Sequence, residues 1–178
     1  DCAKTLDESL CFGASACRTT WWNPMSNNSP GPLRGITLAS LRGRDWEAQR
    51  LWLQQTYPSE ITWHMPYHAS ALRPDLWGGF VRFLYDAYIL QWGVFQDGRL
   101  LAALSWQSAP GPANHFWLAA PADLDENMLR ALLLHAIHHL PAQRPVVLDY
   151  PAGQFDQTLQ SAGFSAQQTL IWMELKLS

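Results

Sequence analysis

Two stretches of this chain, one near each end, are written on the same plan, and any fold has to place both. Ala3-Lys-Thr-Leu-Asp-Glu-Ser-Leu-Cys-Phe12 runs into Gly-Ala-Ser-Ala-Cys-Arg-Thr-Thr-Trp-Trp22. Far downstream, Phe155-Asp-Gln-Thr-Leu-Gln-Ser-Ala-Gly-Phe164 runs into Ser-Ala-Gln-Gln-Thr-Leu-Ile-Trp-Met173. Each reads as an amphipathic helix, a break at a small residue followed by Phe, and a β-prone run ending in Trp. A helix-to-strand ending used twice implies one whole domain and the tail of another like it. The expected division is a helix-strand tail over 1–22, a linker over 23–33 and a domain over 34–178; the linker holds Asn23-Pro-Met-Ser-Asn-Asn-Ser-Pro-Gly-Pro32, polar and rich in Pro, Gly, Asn and Ser.

With 178 residues, 48% hydrophobic and 15% charged, the chain can bury a sizeable core and is too apolar to be disordered. A net charge of -3 supplies no general attraction for nucleic acid. No apolar run reaches the length of a membrane span, and no charged-then-apolar leader opens the chain. The expectation is a soluble cytoplasmic protein without nucleic acid or membrane as partner. Cys2, Cys11 and Cys17 all fall in the tail, an odd count that suits a reducing compartment better than a disulfide framework. The chain opens on Asp1 rather than Met, in keeping with a piece cut from something longer.

Along the main domain, Gly35–Arg42 reads as a strand, and Asp45 as the N-cap of a helix holding Trp46, Leu51 and Leu53 that Pro58 closes. A second helix is expected from Pro74 to Tyr85, with Leu76, Phe80, Val81 and Leu84 as its apolar stripe. Ile89–Phe95 and Arg99–Trp106 form a hairpin about Asp97-Gly98, a pair suited to positive φ. Asn114–Ala120 is a strand, Asp125–Leu140 the longest helix, and Val146–Asp149 a short buried strand. The repeated helix and a last strand, Gln168–Leu177, close the chain. The order β-α-α-β-β-β-α-β-α-β, a meander and then a crossover helix, implies an α/β fold with a mixed, mostly antiparallel sheet flanked by helices.

This element order, with the Gly163-Phe164 ending, resembles the GNAT superfamily of acetyl-CoA-dependent N-acetyltransferases over roughly residues 34–177. The tail resembles the family's ending Ala-x-x-Leu-Tyr-Glu-x-Leu-Gly-Phe through Ala3, Leu6, Glu8, Leu10 and Phe12, with Cys11 where glycine is usual. The resemblance implies the second domain of a tandem GNAT protein, partnered by a preceding GNAT-like domain or by a second copy in a homodimer. It also implies acetyl-CoA as cofactor and a small-molecule or peptide amine as acceptor. On this pattern the pantetheine lies along the backbone of Trp117, Leu118, Ala119 and Ala120. The pyrophosphate lies on a loop of the form Arg/Gln-x-x-Gly-x-Gly/Ala at the start of the long helix, here Asp125, Glu126, Asn127, Met128, Leu129 and Arg130.

The loop departs from that pattern. The basic or amide position falls on Leu124, and the small positions on Asp125, Asn127 and Leu129. A phosphate at a helix N-terminus needs close backbone approach and no competing negative charge. Asp125 and Glu126 instead complement the helix dipole themselves. The family's general-acid tyrosine, four residues before the glycine, is here Leu159, which holds no transferable proton. Tyr150, His115 and Asp149 are the remaining acid/base candidates; each also reads as packing.

His135, His138 and His139 have spacings that allow paired metal ligation, but no Cys or nearby carboxylate completes a set, so no metal is expected. His64 and His68 flank Pro66 where the family forms its acceptor wall; Trp63 and Trp77, two of ten tryptophans, lie on the same side. Two functions stay open. One is an N-acyltransferase working by positioning and oxyanion stabilisation. The other is a non-catalytic GNAT-fold domain serving as structural or ligand-sensing partner to an active one.

Overall fold

A computed structural model describes residues 12–25, 35–63, 65–86, 88–140 and 144–175. The helix expected over residues 3–10, His64, most of the linker and the end of the last strand lie outside these. Seven strands form one sheet in the order β2-β3-β4-β5-β6-β1-β7. They are β1 (Phe12–Asn23), β2 (Thr37–Ser40), β3 (Ile89–Gln96), β4 (Arg99–Gln107), β5 (Asn114–Ala119), β6 (Val146–Pro151) and β7 (Ser165–Leu175). Every neighbouring pair is antiparallel except β5 and β6. The helices are α1 (Trp46–Thr56), α2 (Ser59–Thr62), α3 (Leu76–Leu84), α4 (Glu126–His138) and α5 (Asp156–Ser161). The α4 helix is the crossover that parallel pairing of β5 and β6 demands.

Alternation along β5 separates two cores. Phe116 and Leu118 face one cluster with Leu129, Leu132, Leu133 and Ala136 of α4. Trp117 and Ala119 face the other with Trp46 and Leu53 of α1, Tyr57 and Leu72. The sheet is therefore covered on both faces, as the element order implies.

Local signals account for most element ends. Asp97 and Gly98 have φ of 50° and 77°, the two left-handed positions a two-residue hairpin turn demands. Gly163 follows α5 at φ 90°. The Gly163 and Phe164 N–H groups bond back to the Gln160 and Leu159 carbonyls at 2.9 and 3.0 Å, a Schellman ending that explains why this motif reads Gly-Phe. Phe164 is then buried against Phe116.

Two sequence expectations need correction. Asp45 does not cap α1 with its side chain; it ends a 3₁₀ turn, Gly43–Asp45, and its carboxylate accepts from the Arg42 N–H at 2.8 Å. The second helix is α3, capped by Asp75, whose Oδ1 accepts from the Gly78 N–H at 2.9 Å. Its apolar stripe faces outward: Leu76 is 94% exposed, Phe80 51% and Leu84 62%, and of the four only Val81 is buried. The helix docks by its narrow edge at Gly78 and Val81, because a Cβ at Gly78 would lie 2.0 Å from the Arg73 carbonyl oxygen. Gly78→Ala should therefore unseat α3 while leaving the sheet intact. Hydrogen exchange should show amides of residues 76–84 losing protection and those of β3–β5 keeping it; unchanged protection in α3 would refute this docking.

The strand expected within 13–22 is β1, and it lies inside the sheet of the main domain, hydrogen-bonded to β6 on one side and β7 on the other. It carries Trp21, 1% exposed, into the α4-side core, and Asn23 closes it with Nδ2 donating to the Ala162 carbonyl at 3.2 Å.

Candidate functional site

The parallel strands β5 and β6 pair only at Asn114–Val146, His115–Val147 and Phe116–Leu148. Beyond that they part, with Trp117–Ala120 on one side and Asp149–Pro151 on the other. A parting of parallel strands exposes backbone donors and acceptors that something must satisfy. Here the chain itself satisfies one of these donors. Tyr57, just past α1, accepts at Oη from the Leu118 N–H at 3.2 Å. Its ring meets Trp117 edge-on with centroids 5.4 Å apart, and Tyr67 packs on both at 5.4 and 5.1 Å.

Below this aromatic plug lies a buried cation. Arg18 of β1 is 3% exposed; its Nε donates to Asp149 Oδ1, one terminal nitrogen to the Thr56 carbonyl at 2.7 Å and the other to the Asp149 carbonyl at 2.8 Å. The guanidinium also lies 5.0 Å from the centroid of the Tyr57 ring. All three arms are thus used, and the charge is paired with a carboxylate as burial requires. Burial pushes the Tyr57 and Tyr67 hydroxyls far above the ordinary phenol range. It raises Tyr150, 1% exposed, to about 12. Each of these hydroxyls stays neutral near pH 7.

Of the acid/base candidates, His115 stacks on Trp117 with centroids 5.6 Å apart and planes 11° off parallel. Burial lowers its pKa and the Asp149 carboxylate opposes this. Asp149 is engaged by Arg18 and, at 3.5 Å, by the Thr20 hydroxyl. Tyr150 lies beneath the surface next to Phe155. His115 lies in the last paired stretch of β5, opposite Val147, while Asp149 and Tyr150 lie on β6 beyond the pairing.

The loop before α4 is closed in a second way. Asp125 Oδ1 accepts from the Asn127 N–H at 2.7 Å and the Met128 N–H at 3.4 Å. Glu126 accepts from the Thr158 hydroxyl at 2.7 Å. Leu124 and Leu129 are core residues, 8% and 0% exposed, Met128 packs partly against them, and Arg130 is exposed. Beside this loop is a groove of about 420 Å³ lined by Trp52, Arg99, Leu100, Pro121 and Asp123 among others. The Asn127 and Met128 N–H groups are thus already bonded, and the groove beside them carries both signs of charge, Asp123 and Asp125 with Arg99.

Trp63 and Trp77 are 75% and 57% exposed, on the side where the resemblance puts the acceptor; Trp77 packs on Phe80, and His68 stacks on Tyr85. On α4, His139 follows the helix, its Nδ1 bonded to the His135 carbonyl at 2.8 Å, and the two rings lie 4.1 Å apart. Among the described residues no three metal-ligating side chains cluster, and no helix is long and apolar enough to cross a membrane.

Tyr57, Tyr67 and Arg18 were not singled out by sequence reasoning. For the tyrosines no spacing signal exists. Arg18 gives one: a lone cation in the middle of a β-prone run, where a strand with both edges paired has to bury it.

The architecture defines a class. A seven-stranded mixed sheet, a parting parallel pair and a crossover helix starting beside that parting are the fold of the GNAT N-acetyltransferases. The chain superposes on GCN5-related N-acetyltransferases from Sphaerobacter thermophilus (TM-score 0.60, 11% identity, 96% of this chain and 55% of that one) and Kribbella flavida (0.58, 13%, 96% and 62%). It likewise matches a tandem GNAT protein from the clavulanic acid biosynthesis pathway (0.55, 15%, 96% and 57%). At these identities the likeness is one of fold. The chain spans between 42% and 67% of the length of such structures. No family model matches the sequence, and no curated protein does.

Proposed function

We propose that this GNAT-fold domain is a non-catalytic partner of an active acetyltransferase module, and that residues 1–22 are the tail of that module. The observation that carries this is the prior use of the backbone donors an acyl-CoA would need. Asp125 takes those at the start of α4, and Tyr57 takes the one on Leu118. A cofactor must displace these bonds and then meet Asp123, Asp125 and Glu126, with Arg99 as the counter-charge in the groove. Leu159, fully buried, cannot supply the proton a thiolate leaving group takes. The domain's contribution is then a rigid neighbour and a docking sheet, in the same compartment as its partner, which we place in the cytoplasm.

Calorimetric titration with acetyl-CoA tests the reading. The chain should bind at millimolar affinity or weaker, no better than about -4 kcal/mol. Micromolar binding, with chemical-shift changes at residues 118 and 125–130, would make it an ordinary acyl-CoA enzyme acting on an amine.

A further inference from the structure

The 3₁₀ turn before α1 meets the tip of the β3–β4 hairpin, and two adjoining cavities lie between them, sharing Arg44, Asp45 and Gly98. The smaller, about 170 Å³, is lined further by Thr37, Ser40 and Arg42. The larger, about 360 Å³, is closed by Ala48 and Trp52 of α1 with Arg99 and Leu100 of β4. That volume lies within the roughly 300–1,000 Å³ range of small-molecule sites. No residue lining either cavity belongs to β5, β6 or α4, so the pair stands apart from the parting of strands. Local sequence keeps the space open. Ala48 and Trp52 are four apart on α1 and share a face, so the short Ala48 side chain leaves the half-buried indole uncovered on that side. Across from them Gly98 has nothing within 4 Å of where a Cβ would stand.

The charges here are uncommitted. Elsewhere Arg18, Arg50, Arg73, Arg82 and Arg144 each direct the guanidinium at a protein oxygen. The Arg99 side chain makes no hydrogen bond or ion pair with a described residue, and Arg44, its side chain 65% exposed, has only Asp45 Oδ1 at 3.8 Å from its Nε. The other Asp45 oxygen already accepts from the Arg42 N–H at 2.8 Å. Arg42, Arg44 and Arg99 against one buried carboxylate leave an excess of positive charge, in a chain whose net charge is -3. The carboxylates of Asp123 and Asp125 line the neighbouring groove, which shares Trp52 and Arg99 with this chamber. We propose that the chamber binds a small planar ring carrying one anionic group, the ring against Trp52 and Leu100 and the carboxylate or phosphate between Arg44 and Arg99. A guanidinium fork pairs two oxygens of either group at once. The indole supplies apolar contact that a bare anion cannot use. This site goes beyond the reading of the domain as a non-catalytic partner and does not depend on it.

Naphthoate and adenosine monophosphate are the probes, one a carboxylate and one a phosphate, with naphthamide and adenosine as their neutral counterparts. In calorimetry of the whole chain at least one of the two anions should bind about tenfold tighter than its neutral counterpart, with amide shifts at residues 44–52 and 98–100. Which anion binds distinguishes a carboxylate ligand from a phosphate. Acetate and inorganic phosphate, which lack the ring, should bind about tenfold more weakly than the ring-bearing anion. Arg44→Gln and Arg99→Gln should each weaken the anion about tenfold while thermal unfolding stays unchanged, since neither side chain holds the fold together. Binding of neither anion at millimolar concentration overturns the site. So does equal binding of the neutral counterpart, or an affinity unchanged in the Arg44→Gln, Arg99→Gln double variant. Displacement of the probe by coenzyme A also overturns it, because the chamber would then belong to the cofactor. Micromolar acetyl-CoA binding without displacement sinks the non-catalytic reading alone and leaves this site standing.

Discussion

Arg18→Met should lower the unfolding free energy by about 3–5 kcal/mol, the range for breaking a buried charge pair from one side. The substitution strips Asp149 of its partner and leaves the Thr56 and Asp149 carbonyls without the donors that now reach them at 2.7 and 2.8 Å. The shape is roughly kept, so lost packing is the minor part. Arg18→Lys should recover only a fraction, because one ammonium cannot span three acceptors that a planar fork reaches together. Asp149→Asn should cost less than Arg18→Met: its carboxylate is 19% exposed and the arginine keeps two carbonyl partners. Urea unfolding of the three variants checks the ranking. A loss below about 1 kcal/mol for Arg18→Met would place this pair with ordinary surface bridges.

The second large effect concerns the loop. Rewriting it to the acetyl-CoA pattern, with Leu124→Arg, Asp125→Gly, Asn127→Gly and Leu129→Gly, should unfold the domain rather than restore a site. Leu129 is completely buried among α4 and the sheet. Truncating a buried leucine costs about 2–5 kcal/mol, and a glycine within a helix adds about 1 kcal/mol. Leu124→Arg asks a core position to hold a charge. Asp125→Gly alone separates the two issues. It frees the Asn127 and Met128 N–H groups and removes one carboxylate, for a loss of only a few tenths to about 1 kcal/mol. Acetyl-CoA affinity should then rise about tenfold, and more at low salt than at high salt, since the gain is partly electrostatic. A quadruple variant as stable as the parent chain in thermal unfolding, binding acetyl-CoA tightly, would mean that the loop's packing has been misjudged.

These two sites also show where sequence was sufficient. The α4 start is local: Asp125 bonds to residues two and three ahead, so an acidic cap before an apolar-periodic run was readable without a fold. The same holds for Asp97-Gly98 and for Gly163-Phe164, whose backbone demands are met within a few residues. The element order of the main domain was legible for this reason. The α3 stripe marks the limit of such reading, because periodicity identifies an apolar face without saying which edge of the helix docks.

What the sequence alone determined is the set of elements, their order and the likeness to one fold, since turns, caps and periodicity depend on neighbours a few residues away. The tertiary structure alone decided how the parting of β5 and β6 is filled. Tyr57 reaches Leu118 across 61 residues, and Arg18 reaches Asp149 across 131. It also decided that β1 enters between β6 and β7. Strand order is set by which hydrogen-bonding edge is free and which apolar face must be covered when the sheet closes, and neither quantity is written in the spacing of residues along the chain.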